Sequence, residues 1–147
     1  MYGQKDNLTY QQTENEKKFC KSLKEFIQNE YNASLYYDVL AERAKQIDIK
    51  SLLKEISQNC CENEKAYHKL LQKLFYESFE AENKIMHVTF DLREGIKKGI
   101  WIETKELLKE RRLYSRLSEN NKADFDDTMY RRMWRLTNLQ SIFCSIH

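Results

Sequence analysis

Not one proline occurs in the 147 residues of this chain, and its glycines number three: Gly3, Gly95 and Gly99. Proline and glycine punctuate turns and linkers, so a chain almost without them has few places to bend. It predicts a small number of long helices. The length suits one domain with one core. A hydrophobic content of 41% supplies that core, and a charged content of 33% can cover long solvated faces.

The apolar pattern divides the chain into four helical stretches. Residues 1–12 are polar and patternless and read as a flexible tail before a single domain at 13–147. Thr13 followed by Glu16 is a capping-box pattern that starts a first helix, running to about residue 46. Its seam is Phe19, Leu23, Phe26, Ala33, Tyr37, Leu40 and Ala44, at helical spacing, with Glu30 inside it. Asp48 can cap a second helix, to about residue 77, with the seam Leu53, Ile56, Cys60, Tyr67, Leu71 and Leu74 and with Glu64 inside it. The periodicity lapses over 78–88. Asp91 and Glu94 resemble a further capping box, opening a third helix to about residue 118. Leu92, Ile96, Ile100, Leu107, Tyr114 and Leu117 share one face with Glu103 and Glu110. Gly95 and Gly99 weaken this helix unless a neighbour packs close or the helix start is broken there. Asn121 with Asp124 can begin a fourth helix, with the seam Phe125, Met129, Met133, Leu136, Leu139 and Phe143, and Trp134 beside it.

Helices of about 25–34 residues are roughly 35–50 Å long, too long for a globin-like packing of this chain. The expected fold is all-α, an antiparallel four-helix bundle. The second connection, about 11 residues stretching to about 36–40 Å, permits a crossover along the bundle.

Charge excludes some functions. With 25 basic and 23 acidic residues the net charge is +2, too balanced to argue for a nucleic acid or an anionic membrane as partner. No apolar run approaches the roughly 20 residues of a spanning helix. The first residues carry no apolar segment like a signal peptide, so cytoplasm is the expected location. Cys20, Cys60, Cys61 and Cys144 form no Cys-x-x-Cys pair and read as free thiols, with the vicinal Cys60–Cys61 a weak soft-metal signal.

Glutamates at mid-helix seam positions carry the chemical signal. A carboxylate inside a bundle costs several kcal/mol unless it is paired or coordinated. Glu30, Glu64 and Glu103 lie in three seams. Di-iron and di-manganese bundle sites use a lone Glu from two helices and Glu-x-x-His from two others. The segment Glu30-Tyr-Asn-Ala-Ser-Leu-Tyr-Tyr37-Asp-Val-Leu40-Ala41, the segment Asn63-Glu64-Lys-Ala-Tyr67-His68 and the run from Gly95 to Glu103 together resemble the ferritin-like superfamily in its rubrerythrin-like branch. The resemblance spans about residues 19–143, closer in the first half. It implies a ferritin-like bundle, an iron or manganese centre, and a homodimer, since such bundles often pair side by side.

The departures are specific. The family pattern places His three residues after its second-helix Glu, where this chain has Tyr67; His68 is offset by roughly 100° around the helix. Where the fourth helix should supply Glu-x-x-His, it reads Arg131-Arg132-Met-Trp-Arg135. No Glu follows Glu119, and His147 is the later His. The metal candidates are therefore Glu30, Glu64, His68 and Glu103, with Arg132 or Arg135 as cations that replace a metal by bidentate pairing with the seam glutamates. The alternative is a solvated arginine face with its stems packed along the bundle. His68 reads either as a half-exposed helix residue or as a ligand at i, i+4 from Glu64. Tyr37 and Tyr67 read as core aromatics whose hydroxyls need partners.

Three functions follow. The first is a rubrerythrin-type domain with a degenerate di-iron centre, not a competent oxidoreductase, acting by binding or structure without cofactor. The second is an Fe- or Mn-dependent oxidoreductase or peroxide-handling protein using the partial site. The third is a helical protein-interaction module.

Overall fold

A computed structural model describes residues 13–84, 88 and 91–146. The expected tail at 1–12 lies outside the described residues. The fold is all-helical: α1 (Glu14–Arg43), α2 (Ile47–Phe75), α3 (Leu92–Tyr114) and α4 (Glu119–Ser145). Among the described residues there is no strand, and no helix is long and apolar enough to cross a membrane.

Local chemistry sets the boundaries. Thr13 and Glu16 form the reciprocal capping box: Glu16 N donates to Thr13 Oγ1 at 3.1 Å and Thr13 N to Glu16 Oε1 at 2.8 Å. Asp48 does not cap α2. The cap is Gln46, without a side-chain bond, and Asp48 sits inside the first turn, where its carboxylate accepts from Ile49 N and faces the positive helix end. Asp91 caps α3 by accepting from Arg93 N at 3.0 Å. α4 begins earlier than Asn121, because Ser118 is its cap and accepts from Asn121 N.

α1 packs most extensively on α2, and α3 on α4; α2 also meets α4, and α1 meets α3 more sparingly. The α1–α2 pairs are Ser34 with Ser57 and Glu30 with Asn63, and Cys20 meets Glu77 just past the end of α2. Across α1 and α3, Tyr36 meets Gly95, Tyr37 meets Glu103 and Asn29 meets Glu106. Across α2 and α4, Cys60 meets Arg135, Tyr67 meets Arg132 and Lys73 meets Asp124. In the connection after α2, Phe79 and Ala81 pack on the cluster around Leu23 and Leu71, the Glu82 carbonyl accepts from Gln28 Nε2 while Glu82 N donates to Gln28 Oε1, and Val88 packs on the cluster around Leu40 and Leu53.

Gly95 and Gly99 lie within α3 and allow a close approach to α1. A Cβ at Gly95 would stand 2.5 Å from Leu40 Cδ2, and one at Gly99 3.1 Å from the Tyr37 ring. The core consists of two apolar clusters, one around Leu40, Leu53, Ile96 and Leu139, the other around Leu23, Phe26, Leu71 and Phe125. Along α1, α2 and α4 the residues between the clusters are polar.

The α4 seam differs from the expected one. Its buried residues are Phe125, Thr128, Arg132, Arg135, Leu139 and Ile142, while Met133 is 52% exposed. An apolar pattern selects methionines over arginines, but the buried stripe follows the 3–4–3 spacing and carries arginine to the centre. On α3 the buried stripe is likewise Gly95, Ile96, Gly99, Glu103, Glu106 and Glu110, with Leu107 and Tyr114 at its margin.

Candidate functional site

Five ionisable side chains meet in the polar layer between the two apolar clusters. Glu30 comes from α1, Glu103 and Glu110 from α3, and Arg132 and Arg135 from α4, none more than 1% exposed. Arg135 donates Nη1 to Glu30 Oε1 at 2.7 Å and Nη2 to Glu30 Oε2 at 2.6 Å. Its Nη1 also reaches Glu103 Oε2 at 3.2 Å and Cys60 Sγ at 2.7 Å. Arg132 donates Nε to Glu110 Oε1 at 2.7 Å and lies 3.4 Å from Glu30 and 3.7 Å from Glu103. Its guanidinium stacks near Phe26 and Tyr67, 5.4 and 5.7 Å from their ring centres.

Neutral groups complete the layer. Tyr37 Oη donates to Glu103 at 2.8 Å, Tyr67 Oη to Glu110 at 2.8 Å, and Thr128 Oγ1 to Glu110 at 2.6 Å. Asn63 Nδ2 donates to Glu30 at 2.9 Å and to the Thr128 carbonyl at 3.1 Å. This supply of donors answers the desolvation penalty of a buried charge.

Three carboxylates face two guanidiniums, so full ionisation would leave one negative charge buried. The carboxyls do not share that excess equally. Burial raises Glu30, but Arg132 and Arg135 outweigh it and hold the carboxyl below its usual range. At Glu103 burial prevails over Arg135 and the carboxyl is raised. Glu103 Oε1 also lacks a hydrogen-bond partner, as do Arg132 Nη2 and Arg135 Nε. Burial pushes the Cys60 thiol and the Tyr37 and Tyr67 hydroxyls well up, so they stay protonated.

Of the sequence candidates, the structure brings together Glu30, Glu103, Arg132 and Arg135. Glu64 and His68 stand apart from this network. Both are half-buried and pair with each other at 3.5 Å. Asn63 holds the inward position expected of Glu64. Both flank the Cys60–Tyr67 line, but Asn63 is fully buried and Glu64 is not. An amide there meets a carboxylate without adding a fourth negative charge. The sequence pattern places Glu110 on the right face but outside the candidate set, and it marks neither Thr128 nor Asn63. Their signal is spacing alone: Thr128 is four residues before Arg132, and Asn63 four before Tyr67.

The donors do not fit a di-metal pair. The layer has no histidine, and the guanidinium of Arg135 fills the space between Glu30 and Glu103. Among the described residues no group of three or more His, Cys, Asp or Glu side chains is placed to hold a metal ion. What remains can tie α1, α3 and α4 by charge and α2 by neutral hydrogen bonds, and can hold a proton away from solvent. Comparison with family models, with curated proteins and with solved structures finds no match.

Proposed function

We propose that this chain is a ferritin-like, rubrerythrin-type bundle whose di-metal position is taken by arginine, and that it acts by binding or structure rather than by redox chemistry. The carrying observation is the Arg135 guanidinium, bidentate on Glu30 and reaching Glu103 at the middle of the core. Two positive side chains supply the charge that a metal pair would bring to facing carboxylates. Supporting the ferritin-like topology, each neighbouring helix pair matches rising residue numbers with falling ones, as in Glu30–Asn63 and Cys20–Glu77. That order supports an antiparallel bundle. The contacts of Phe79, Glu82 and Val88 support a second connection that crosses over along the bundle.

The test is metal uptake. Protein purified from iron-replete and manganese-replete cultures is assayed for bound metal, and its thermal midpoint is recorded with added iron, manganese and zinc. A ligand of the folded state must stabilise it, so the expected result is no stoichiometric metal and an unchanged midpoint. Stoichiometric metal that disappears in Glu64→Ala would overturn the proposal in favour of a metal-dependent oxidoreductase.

A further inference from the structure

Turning Glu103, Glu106 and Glu110 inward leaves the outer face of α3 one-sided in charge from Lys97 onward, beyond the exposed Glu94 of its first turn. Lys97, Lys105, Lys109, Arg111, Arg112 and Arg116 are exposed there. Lys109 pairs with Glu106 at 3.1 Å. Among the described residues the other five have no carboxylate within ion-pair distance. The net charge of +2 conceals this, because it counts acids that the fold has buried.

A groove runs beside this face. α1 and α3 are pinched together at Gly95 and Gly99, and beyond Ile102 they part over three clefts of about 280, 230 and 390 Å³. The first two share Asn29, Glu106 and Lys109, and the second and third share Ser22, Leu113 and Arg116, so the clefts lie in a row, with the Asn29–Glu106 bond crossing between the first and the second. Lys105, Lys109, Arg112 and Arg116 line its α3 side, and Phe19, Phe26, Ala33, Ile102 and Leu113 supply apolar lining. The α1 side carries Glu16, Glu25 and Lys18 among neutral polar residues.

We propose that this groove docks an acidic peptide segment of a partner protein, with carboxylates along Lys105, Lys109, Arg112 and Arg116 and apolar side chains in the clefts. Charge complementarity selects the occupant's sign, and the two unlike walls select its class. A nucleic acid carries charge on every unit and would meet Glu16 and Glu25, whereas a peptide can confine its carboxylates to one edge. From Lys105 to Arg116 the helix advances roughly 16 Å, the reach of about five extended residues. This deepens the binding role proposed above and rests on it. The two fail separately, since metal uptake is read in the core and peptide capture in the groove.

The experiment is fluorescence anisotropy with labelled peptide pools of about twelve residues, longer than the groove, with Asp or Glu alternating with Leu, Ile or Phe. A control pool has Ser at the apolar positions, and oligothymidylate of matched length is the competitor. The acidic–apolar pool should bind the wild-type protein. Binding should weaken about tenfold or more in Arg112→Glu/Arg116→Glu, with the Ser pool, and at high salt. An unchanged thermal midpoint certifies the variant, and Arg112→Gln/Arg116→Gln replaces it if the reversal does not fold. No binding of the pool, equal binding by the variant, or oligothymidylate displacing the peptide would each overturn the proposal.

Discussion

Arg135 of α4 holds Glu30 of α1 through both terminal guanidinium nitrogens, at 2.7 and 2.6 Å, with neither side chain more than 1% exposed. Removing one partner of such a pair strands the other charge in the core, a loss of about 3–5 kcal/mol. Arg135→Ala should therefore cost about that much in urea denaturation. Glu30→Ala combined with Arg135→Ala should cost less than the two single changes added together, because the second removal relieves the stranded charge. Strict additivity would mean that the pair is not coupled.

The raised carboxyl of Glu103 makes stability depend on pH with a definite sign. A carboxyl whose folded pKa lies above its unfolded value, about 4.3, binds more protons when folded. Its contribution is present below that value and is lost as pH rises through the folded pKa. Glu30, with its carboxyl lowered, does the opposite, and stability is lost as pH falls through its folded pKa. Glu103→Gln imitates the protonated acid. It should flatten the decline in unfolding free energy above about pH 4.3, while leaving the acid limb in place. A variant whose stability profile keeps the wild-type slope above that pH would refute the assignment.

Gly95→Ala sets two effects against each other. Alanine favours the helix by about 1 kcal/mol, whereas overpacking costs about 1–3 kcal/mol. With Leu40 Cδ2 only 2.5 Å from the new Cβ and Leu40 fully buried, overpacking should win, and the urea midpoint should fall. Leu40→Val removes the colliding atom, so the double variant should lose less than the two changes summed.

The cysteines should react in order of access. Cys144 is exposed, Cys61 half-buried, and Cys20 and Cys60 buried, the last against Arg135. Burial also raises the Cys60 thiol, suppressing the reactive thiolate. A thiol-colouring reagent added to native protein should label Cys144 first and Cys61 more slowly. Cys20 and Cys60 should appear only when denaturant is present. Rapid native labelling of Cys60, read by peptide mass, would show that the core opens.

The four helices could be read from the chain because the starts of α1 and α3 and the seams of α1 and α2 obey local rules. The Thr13–Glu16 box and the apolar lines of α1 and α2 need no tertiary information. The candidate site was readable in part, since Glu30 and Glu103 interrupt apolar seams. What misled was the assumption that buried means apolar. In α4 the methionines supplied a plausible seam, while Thr128, Arg132 and Arg135 occupied the buried one. Only the continuous spacing from Phe125 to Ile142 distinguishes the two. Glu64 and Asn63 are neighbours about 100° apart on the helix, and only the carboxylate already at Glu30 decides which turns inward.

The two-part apolar core would by itself tolerate a helix that slid or turned, since one greasy stripe packs much like another. The arginines do not allow this. Arg132 and Arg135 bond to partners on α1, α2 and α3 at once, so a one-turn slip of α4 would set guanidiniums against leucine and leave carboxylates bare. The polar layer thus works as a key with a single fit, trading some stability for one permitted alignment of four otherwise interchangeable rods.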